Sequence, residues 1–243
     1  MRRRLVSALI VVAGAVRLPA QSATGPSAAQ RAAFAAIILT PAGALPVVVR
    51  VRRTADSAAR ADVSFRYGRY SIANSPDSRN NIGLSGMLNI SRRLQAGATL
   101  GYRQCACESS RMASVDFGAS LWRKEAAGDV GGDTDVGFLA SAGIGKADTS
   151  DVTAWSAVFG VPFAISLPQT ENTLLTVFVA PEIGYGIRKL NGVAEGAPLF
   201  IIAAGLGYTF EFGLGVHATM HRVIIADSPT QVGFAASWRF GRK

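Results

Sequence analysis

The sequence has few cysteines, few charges and no long apolar run for a chain of 243 residues. Its two cysteines, Cys105 and Cys107, lie one residue apart, and a bridge between them would close a very tight ring with poor geometry. Two thiols also fall short of the four ligands of a structural zinc site. The sequence therefore predicts no disulfide framework, no metal site and no cofactor.

Charged residues make up 17% of the chain, whereas soluble domains average about 25%. Glycine, by contrast, is abundant, with 26 residues. The basic residues are scattered along the chain, so nucleic-acid binding is not predicted. Low charge combined with many glycines is typical of a membrane β-barrel.

The amino terminus has the organisation of a secretory signal peptide. A basic start, Met1 to Arg4, precedes an apolar run from Leu5 to Val16 and a small-residue cleavage site at Leu18-Pro19-Ala20. The run is too short for a spanning helix, which needs about 20 residues. We therefore predict that residues 1–20 are a cleaved signal peptide, and removal of their four arginines lowers the net charge from +9 to +5.

Residues 21–60 are predicted to be a periplasmic amino-terminal segment or linker. Gln21 to Leu39 is rich in alanine, which indicates a linker or a short helix. Leu45 to Arg53 alternates apolar and basic residues, and is expected either to add a strand or to pack as a periplasmic arm.

From Ala61 onward, runs of about ten residues alternate apolar and small or polar side chains, which is the pattern of transmembrane strands. Pro162 and Pro181 cannot donate a ladder hydrogen bond, so each should mark a bulge or a strand end. Several loops are expected to face outside, among them one near Lys189 to Ala197. The predicted runs are 61–71, 81–91, 94–103, 112–123, 135–146, 152–166, 174–188, 199–209, 214–223 and 230–240.

The polar row of these runs contains mainly Gly, Ser, Thr and Asn, with isolated charges. A row facing bulk water would be rich in Lys, Glu and Asp, so this row suits a crowded lumen and the apolar row suits lipid. We predict an all-β protein, with residues 61–240 forming an antiparallel up-and-down transmembrane barrel of about ten strands, eight to twelve being allowed. The alternative fold is a soluble secreted β-barrel.

The last run, Val232 to Phe240, resembles the carboxy-terminal strand of small outer-membrane β-barrel proteins, since Phe234, Trp238 and Phe240 alternate along it. The resemblance implies a place in a bacterial outer membrane, contact with its lipids, and insertion by the outer-membrane barrel assembly machinery. It identifies no ligand.

Alternation also places isolated charges in the lumen. Opposite charges there should pair, because an unpaired charge inside a membrane protein is costly. We expect a barrel-filling network in which Asp116 or Glu182 pairs with Arg66 or Arg103. The residues assigned to this network are Arg66, Arg103, Asp116, Glu182 and Arg239.

No catalytic motif is evident, and the protein is predicted not to be an enzyme. His217 and His221 are four residues apart on one strand, about 13 Å, too far to share a metal. An outer-membrane enzyme would have to start from His221 and Asp227. The leading hypothesis is a structural or surface-interaction barrel with at most a narrow pore, and the alternative is a porin-like channel for small solutes.

Overall fold

The computed structural model describes residues 26–49, 61–71, 79–91, 93–104, 108–124, 133–169, 173–225 and 230–240. Within these residues two helices precede the strands: α1 is Ala28–Ile38 and α2 is Pro41–Ala44. The strand segments are β1 Ala61–Ser71, β2 Arg79–Asn89, β3 Leu94–Gln104, β4 Ser110–Lys124, β5 Asp133–Ala147, β6 Thr153–Gly160, β7 Phe163–Pro168, β8 Leu174–Leu190, β9 Val193–Thr209, β10 Leu214–Val223 and β11 Thr230–Phe240.

The strands form a closed antiparallel barrel. Apart from β6 and β7, which do not pair with each other, each strand pairs with its neighbours in the chain, and β1 also pairs with β11, from Ala61 opposite Phe240 to Ser71 opposite Thr230. Because β6 and β7 together occupy one position between β5 and β8, the barrel has ten strands. The predicted fold and strand number are confirmed. Within the described residues, neither helix is long and apolar enough to cross a membrane.

Two prolines lie close together in the barrel wall, Pro162 in the break between β6 and β7 and Pro181 in the adjacent strand β8. Pro162 separates β6 from β7, as predicted, but the register against β8 is the same on both sides of the break, so no bulge forms. The prediction for Pro181 is wrong, because β8 runs through it without interruption. Pro181 faces the break in β6 and β7, where its missing N–H is not needed for a ladder, and its carbonyl accepts from the Val161 N–H at 3.0 Å. The barrel instead has a bulge in β4, between Ser120 and Trp122.

The exterior of the barrel is apolar, as predicted. Val63 and Phe65 of β1 and Leu84 of β2 are exposed, whereas the alternate residues Ser64 and Ser85 are buried and share a hydrogen bond of 2.6 Å. On β5 the outward row runs from Val136 to Ile144 without a charge and ends at Lys146. Ten residues of a strand tilted by about 40° span roughly 25 Å along the barrel axis, which is the height of a lipid-facing band.

We call the rim where β1 begins and β11 ends the terminal end, and the opposite rim the distal end. The prediction of a loop from Lys189 to Ala197, at the distal end, is wrong. The two strands β8 and β9 instead extend to a two-residue turn at Asn191 and Gly192, with φ of 50° and 85°. Positive φ at both positions is what a type I′ hairpin requires, and the Asn-Gly pair supplies it.

Candidate functional site

Residues 26–49, which we call the plug, lie inside the barrel. Helix α1 contacts β6, β8 and β9, and α2 contacts β3, β4, β5 and β6 across the lumen. The predicted periplasmic location is therefore wrong for these residues. The short helix is present, but Leu45–Val49 adds no strand to the sheet. Residues 21–25 and 50–60 of the predicted linker, and residues 1–20 of the predicted signal peptide, lie outside the described residues.

The plug helix begins where its sequence supplies a cap. Ser27 accepts the N–H of Gln30 at 3.2 Å, and the Gln30 side chain accepts the N–H of Ser27 at 2.9 Å. This capping box satisfies two backbone donors at the start of the helix. Thr40 separates the two helices: its hydroxyl donates to the Ile37 carbonyl at 2.9 Å, at the end of α1, and Pro41 begins α2 directly after it.

The direction of the plug follows from its contacts along β8. Ile37 approaches Gly184, whereas Ala33, one helical turn earlier, approaches Gly186, which is closer to the distal end. Ser27 lies a further six residues along the helix, about 9 Å, while the tip of β8 lies about 13 Å beyond Gly186. Ser27 and Ala28 are exposed. The helix therefore starts near the distal rim and descends into the lumen.

The later part of the plug continues toward the terminal end. Val49 packs in an apolar cluster with Phe178 and Ala180 of β8, Ala164 of β7 and Ala203 of β9. From there the chain leads to Ala61, where β1 begins at the terminal rim. The plug thus runs from near the distal rim toward the terminal end.

Small residues in the barrel wall leave room for the plug. Ten strands enclose a wider interior than eight, which side chains alone fill. At Gly186 an added Cβ would collide with the backbone carbonyl of Ala33, so a side chain has no room there. The lumen-facing glycines where an added Cβ would come closer than 3.0 Å to the plug are Gly68, Gly83, Gly145, Gly184, Gly186 and Gly233.

Hydrogen bonds to the wall fix the turn of the plug. The Tyr70 hydroxyl donates to the carbonyl of Gly43, and the Gln231 side-chain amide donates to the carbonyl of Ala44. The hydroxyls of Thr40 and Ser156 lie 2.6 Å apart. These wall residues belong to β1, β11 and β6, so the plug is tied to separate sides of the barrel.

Apolar packing holds the helix itself. Ile37 is fully buried, with Ala33 beside it, against Val158, Ile201 and Val223 of the wall. Burial of an isoleucine side chain contributes about 1.5–3 kcal/mol relative to exposure. The inner wall near α1 is therefore apolar, in contrast to the polar wall lower in the lumen.

The structure divides the residues of the predicted charge network among several places. Asp116 accepts hydrogen bonds from the hydroxyls of Thr99, Ser114 at 3.1 Å and Ser141 at 2.6 Å. Arg66 lies close enough for an electrostatic interaction with the Asp116 carboxylate, and its Nε donates a hydrogen bond to the Ser64 hydroxyl at 3.2 Å. The hydrogen bonds to Asp116 that were expected from an arginine are therefore made mostly by hydroxyl groups.

Glu182 pairs with a histidine instead of an arginine. Its carboxylate lies 3.6 Å from Nε2 of His221, and both side chains are buried. Nδ1 of His221 lies 3.2 Å from the side-chain oxygen of Gln231, the residue that also holds Ala44. The prediction missed this histidine as a partner because alternation gives the face of a residue and not its height in another strand.

The two remaining arginines lie at opposite ends. Arg239 pairs with Asp62 at 3.5 Å near the terminal end, where the two residues are opposite each other in β11 and β1. Arg103 is buried near the distal end, in the field of Tyr70, Arg79 and Glu108.

A small cavity remains between the plug and the polar wall. Its volume is about 110 Å³, and Asp62, Arg66, Asp116 and Glu182 line it, with Leu45 of the plug on the other side. This volume is large enough for a few water molecules, but it is too small to form a path for solutes through the barrel.

The residues considered for other chemistry are placed as follows. His217 lies 3.0 Å from the hydroxyl of Ser237 in the wall. His221 is occupied by Glu182 and Gln231, while Asp227, Cys105 and Cys107 lie outside the described residues. The carboxy-terminal aromatics Phe234, Trp238 and Phe240 all point outward, with 57%, 40% and 49% of their surface exposed.

The plug and its contacts with the barrel wall were not predicted from the sequence. Two signals were available: an alanine-rich segment with a capping box at Ser27, and glycines concentrated on the lumen-facing row of the strands. Neither signal says that the two pack together, because the contacts join residues far apart in the chain, from 27 positions for Tyr70 and Gly43 to 187 for Gln231 and Ala44.

Comparison with known proteins supports no closer assignment than the fold. No family model matches the chain, and no curated protein matches it. Similar solved structures include a bacterial polysaccharide outer membrane secretin, with 12% identity over 74% of this chain and a TM-score of 0.45. This chain spans 65% of that secretin chain, less than two thirds of its length.

Two further similar structures are outer-membrane barrels. The β domain of the Bordetella autotransporter BrkA has 12% identity, a TM-score of 0.46, and coverage of 75% of this chain and 100% of that one. The KdgM porin has 11% identity, a TM-score of 0.35, and coverage of 74% and 99%. From its own closed ten-stranded wall and its apolar exterior, this chain has the fold of an outer-membrane β-barrel.

Proposed function

We propose that this protein is a structural or surface-interaction barrel of the outer membrane whose lumen is closed by its own amino-terminal segment. The observation that carries the proposal is the plug, which fills the barrel from the distal rim toward the terminal end and leaves a cavity of about 110 Å³. Any recognition then belongs to the exterior and the distal rim, which the plug leaves accessible.

The contacts of the plug support lasting closure. It combines a fully buried isoleucine with hydrogen bonds from Tyr70 and Gln231 to its backbone. Moving it out would expose apolar surface and leave buried donors without acceptors, each of which costs about 1–3 kcal/mol. Closure by such contacts is a property of the resting protein.

Export and insertion are part of the same proposal. A signal peptide at residues 1–20 would bring the chain to the periplasm, and the barrel assembly machinery would recognise the last strand. The outward aromatics Phe234, Trp238 and Phe240 support that recognition, since they are exposed on the lipid-facing side of β11. No catalytic step is proposed, because His221 is held by wall residues.

The test is the conductance of the full mature chain in planar bilayers. Heat-modifiable migration on gels first establishes that the preparation contains folded barrel. We expect no steady conductance and only rare brief openings. Stable, reproducible conductance of the folded wild type would contradict the proposal and would favour the porin-like alternative.

For that alternative, the polar wall around Asp116 and Arg66 supplies the observation. A path along it would require the plug to move aside. In that case replacement of Arg66 by Gln would change ion selectivity, because Arg66 lines the remaining cavity. A closed barrel would show no such change.

A further inference from the structure

Charge on the exterior of the barrel is basic and uneven. Within the described strands, every aspartate and glutamate belongs to the lumen-side row, including Glu195, which lies opposite Arg188. The outward-facing charged residues of these strands are all basic: Arg69, Arg111, Lys124, Lys146, Lys189 and Arg222. All of them except Lys124 lie near the distal end.

Three of these cations form a row across neighbouring strands. Arg111 of β4 is directly opposite Lys146 of β5, Lys146 is opposite Thr153 of β6, and Thr153 is opposite Lys189 of β8. At about 4.8 Å per strand, the row spans roughly 15 Å of the rim. We call Arg111, Lys146 and Lys189 the basic row.

The basic row has little compensation from the protein itself. Arg111 pairs with Asp148 at 3.2 Å. Among the described residues no carboxylate pairs with Lys146 or Lys189. Like charges opposite each other in a sheet are destabilising, so an anion supplied from outside would relieve this repulsion.

The row also lies at the depth of lipid headgroups. Trp155, opposite Ile144 and Ile187, is two positions closer to the centre of the barrel than Lys146 and Lys189. Its ring is exposed on the lipid side. Tryptophan favours the membrane interface, and lysine beside it extends its charged end to the headgroups.

We propose that the basic row binds the phosphate groups of anionic lipids in the leaflet around the distal end. This inference goes beyond the closed barrel proposed above, and it rests only on the membrane placement of that barrel. The lipid would lie against the apolar face of β5, β6 and β8, with its phosphate between Lys146 and Lys189. Among the described residues, the terminal end carries outward aromatic side chains and a single outward strand cation, Lys124, and so has no equivalent row.

The test uses the full mature chain in detergent micelles doped with phosphatidylglycerol or phosphatidylcholine, with bound lipid measured by native mass spectrometry. We expect the wild type to retain phosphatidylglycerol preferentially. The double variant K146Q/K189Q should weaken retention roughly 25-fold, since each surface cation contributes about a fivefold preference. K146R/K189R should retain the lipid.

Lys124→Gln is the matched control, because Lys124 is an outward cation near the other end. Inorganic phosphate in excess distinguishes lipid binding from binding of free phosphate, and should not displace the lipid. Equal retention by wild type and K146Q/K189Q, both heat-modifiable, would overturn the proposal. Loss of heat-modifiable migration in the wild type would instead show failure of the membrane placement.

Discussion

Replacement of Ile37 by alanine should loosen the plug without harming the barrel wall. Ile37 is fully buried between α1 and the inner wall formed by Val158, Ile201 and Val223. Truncation of a buried isoleucine to alanine costs about 2–5 kcal/mol. If that cost falls on the docked plug alone, the undocked population rises roughly 30-fold to a few thousand-fold, at tenfold per 1.4 kcal/mol.

Single-channel recording in planar bilayers measures this population as the frequency of openings. The matched control is Ile183→Ala, which removes the same atoms from the lipid-facing side of β8, next to Gly184. A second perturbation of the same contact is Gly186→Val, because its Cβ would collide with the Ala33 carbonyl. Both lumen variants should open more often than wild type, and Ile183→Ala should not.

An unchanged opening frequency in Ile37→Ala and Gly186→Val, with heat-modifiable migration retained, would refute the reasoning. It would mean that the contacts of α1 do not control closure of the lumen. Loss of heat-modifiability in both would instead assign these contacts to barrel assembly.

Three other predictions follow from particular contacts. If the terminal end is periplasmic, and with the native Cys105 and Cys107 replaced by serine, Ser27→Cys at the start of α1 and Asn191→Cys at the distal turn should both react with a membrane-impermeant maleimide on intact cells, while Glu211→Cys at the terminal turn should not. Labelling of Asn191→Cys without Ser27→Cys would contradict the direction of the plug. Trp238→Ala should lower the temperature of the gel-shift transition more than Val232→Ala on the same face, because Trp238 packs against Phe212 at 5.7 Å between ring centroids; equal effects would exclude a role of this aromatic contact. Glu108 accepts hydrogen bonds from Ser150 and Thr149, which lower its pKa below the ordinary value of 4.5. The contact between these two distal loops is therefore present at neutral pH and is lost as the pH falls through the lowered pKa, so proteolysis of the loops should increase only at a pH below 4.5 in wild type. A Glu108→Gln variant should show no such pH dependence.

The strands were largely predictable because a strand in lipid has a strong local pattern. The bounds of β1, β10 and β11 agree with the predicted runs, and the outward position of the carboxy-terminal aromatics follows directly from alternation. The sequence also contains the Asn-Gly pair that forms the tight turn between β8 and β9. A loop was predicted there instead.

Pairing between distant side chains was not predictable in the same way. Alternation assigned Glu182 and His221 to the lumen, yet their contact depends on the stagger of β8 against β9 and β10 around the barrel. Asp116 likewise accepts hydrogen bonds from hydroxyls at the same height along the barrel axis, whereas Arg103 lies nearer the distal end. Face is a local property, and height is set by the closure of the whole barrel.

The sequence by itself determined the alternation, the closing aromatics and the cap at Ser27, because each depends on residues a few positions apart. Only the tertiary structure decided where residues 26–49 go. Their apolar helix needs a partner surface, and glycines on the inner face of a ten-stranded barrel leave a space of matching width. That space exists only after β1 has paired with β11.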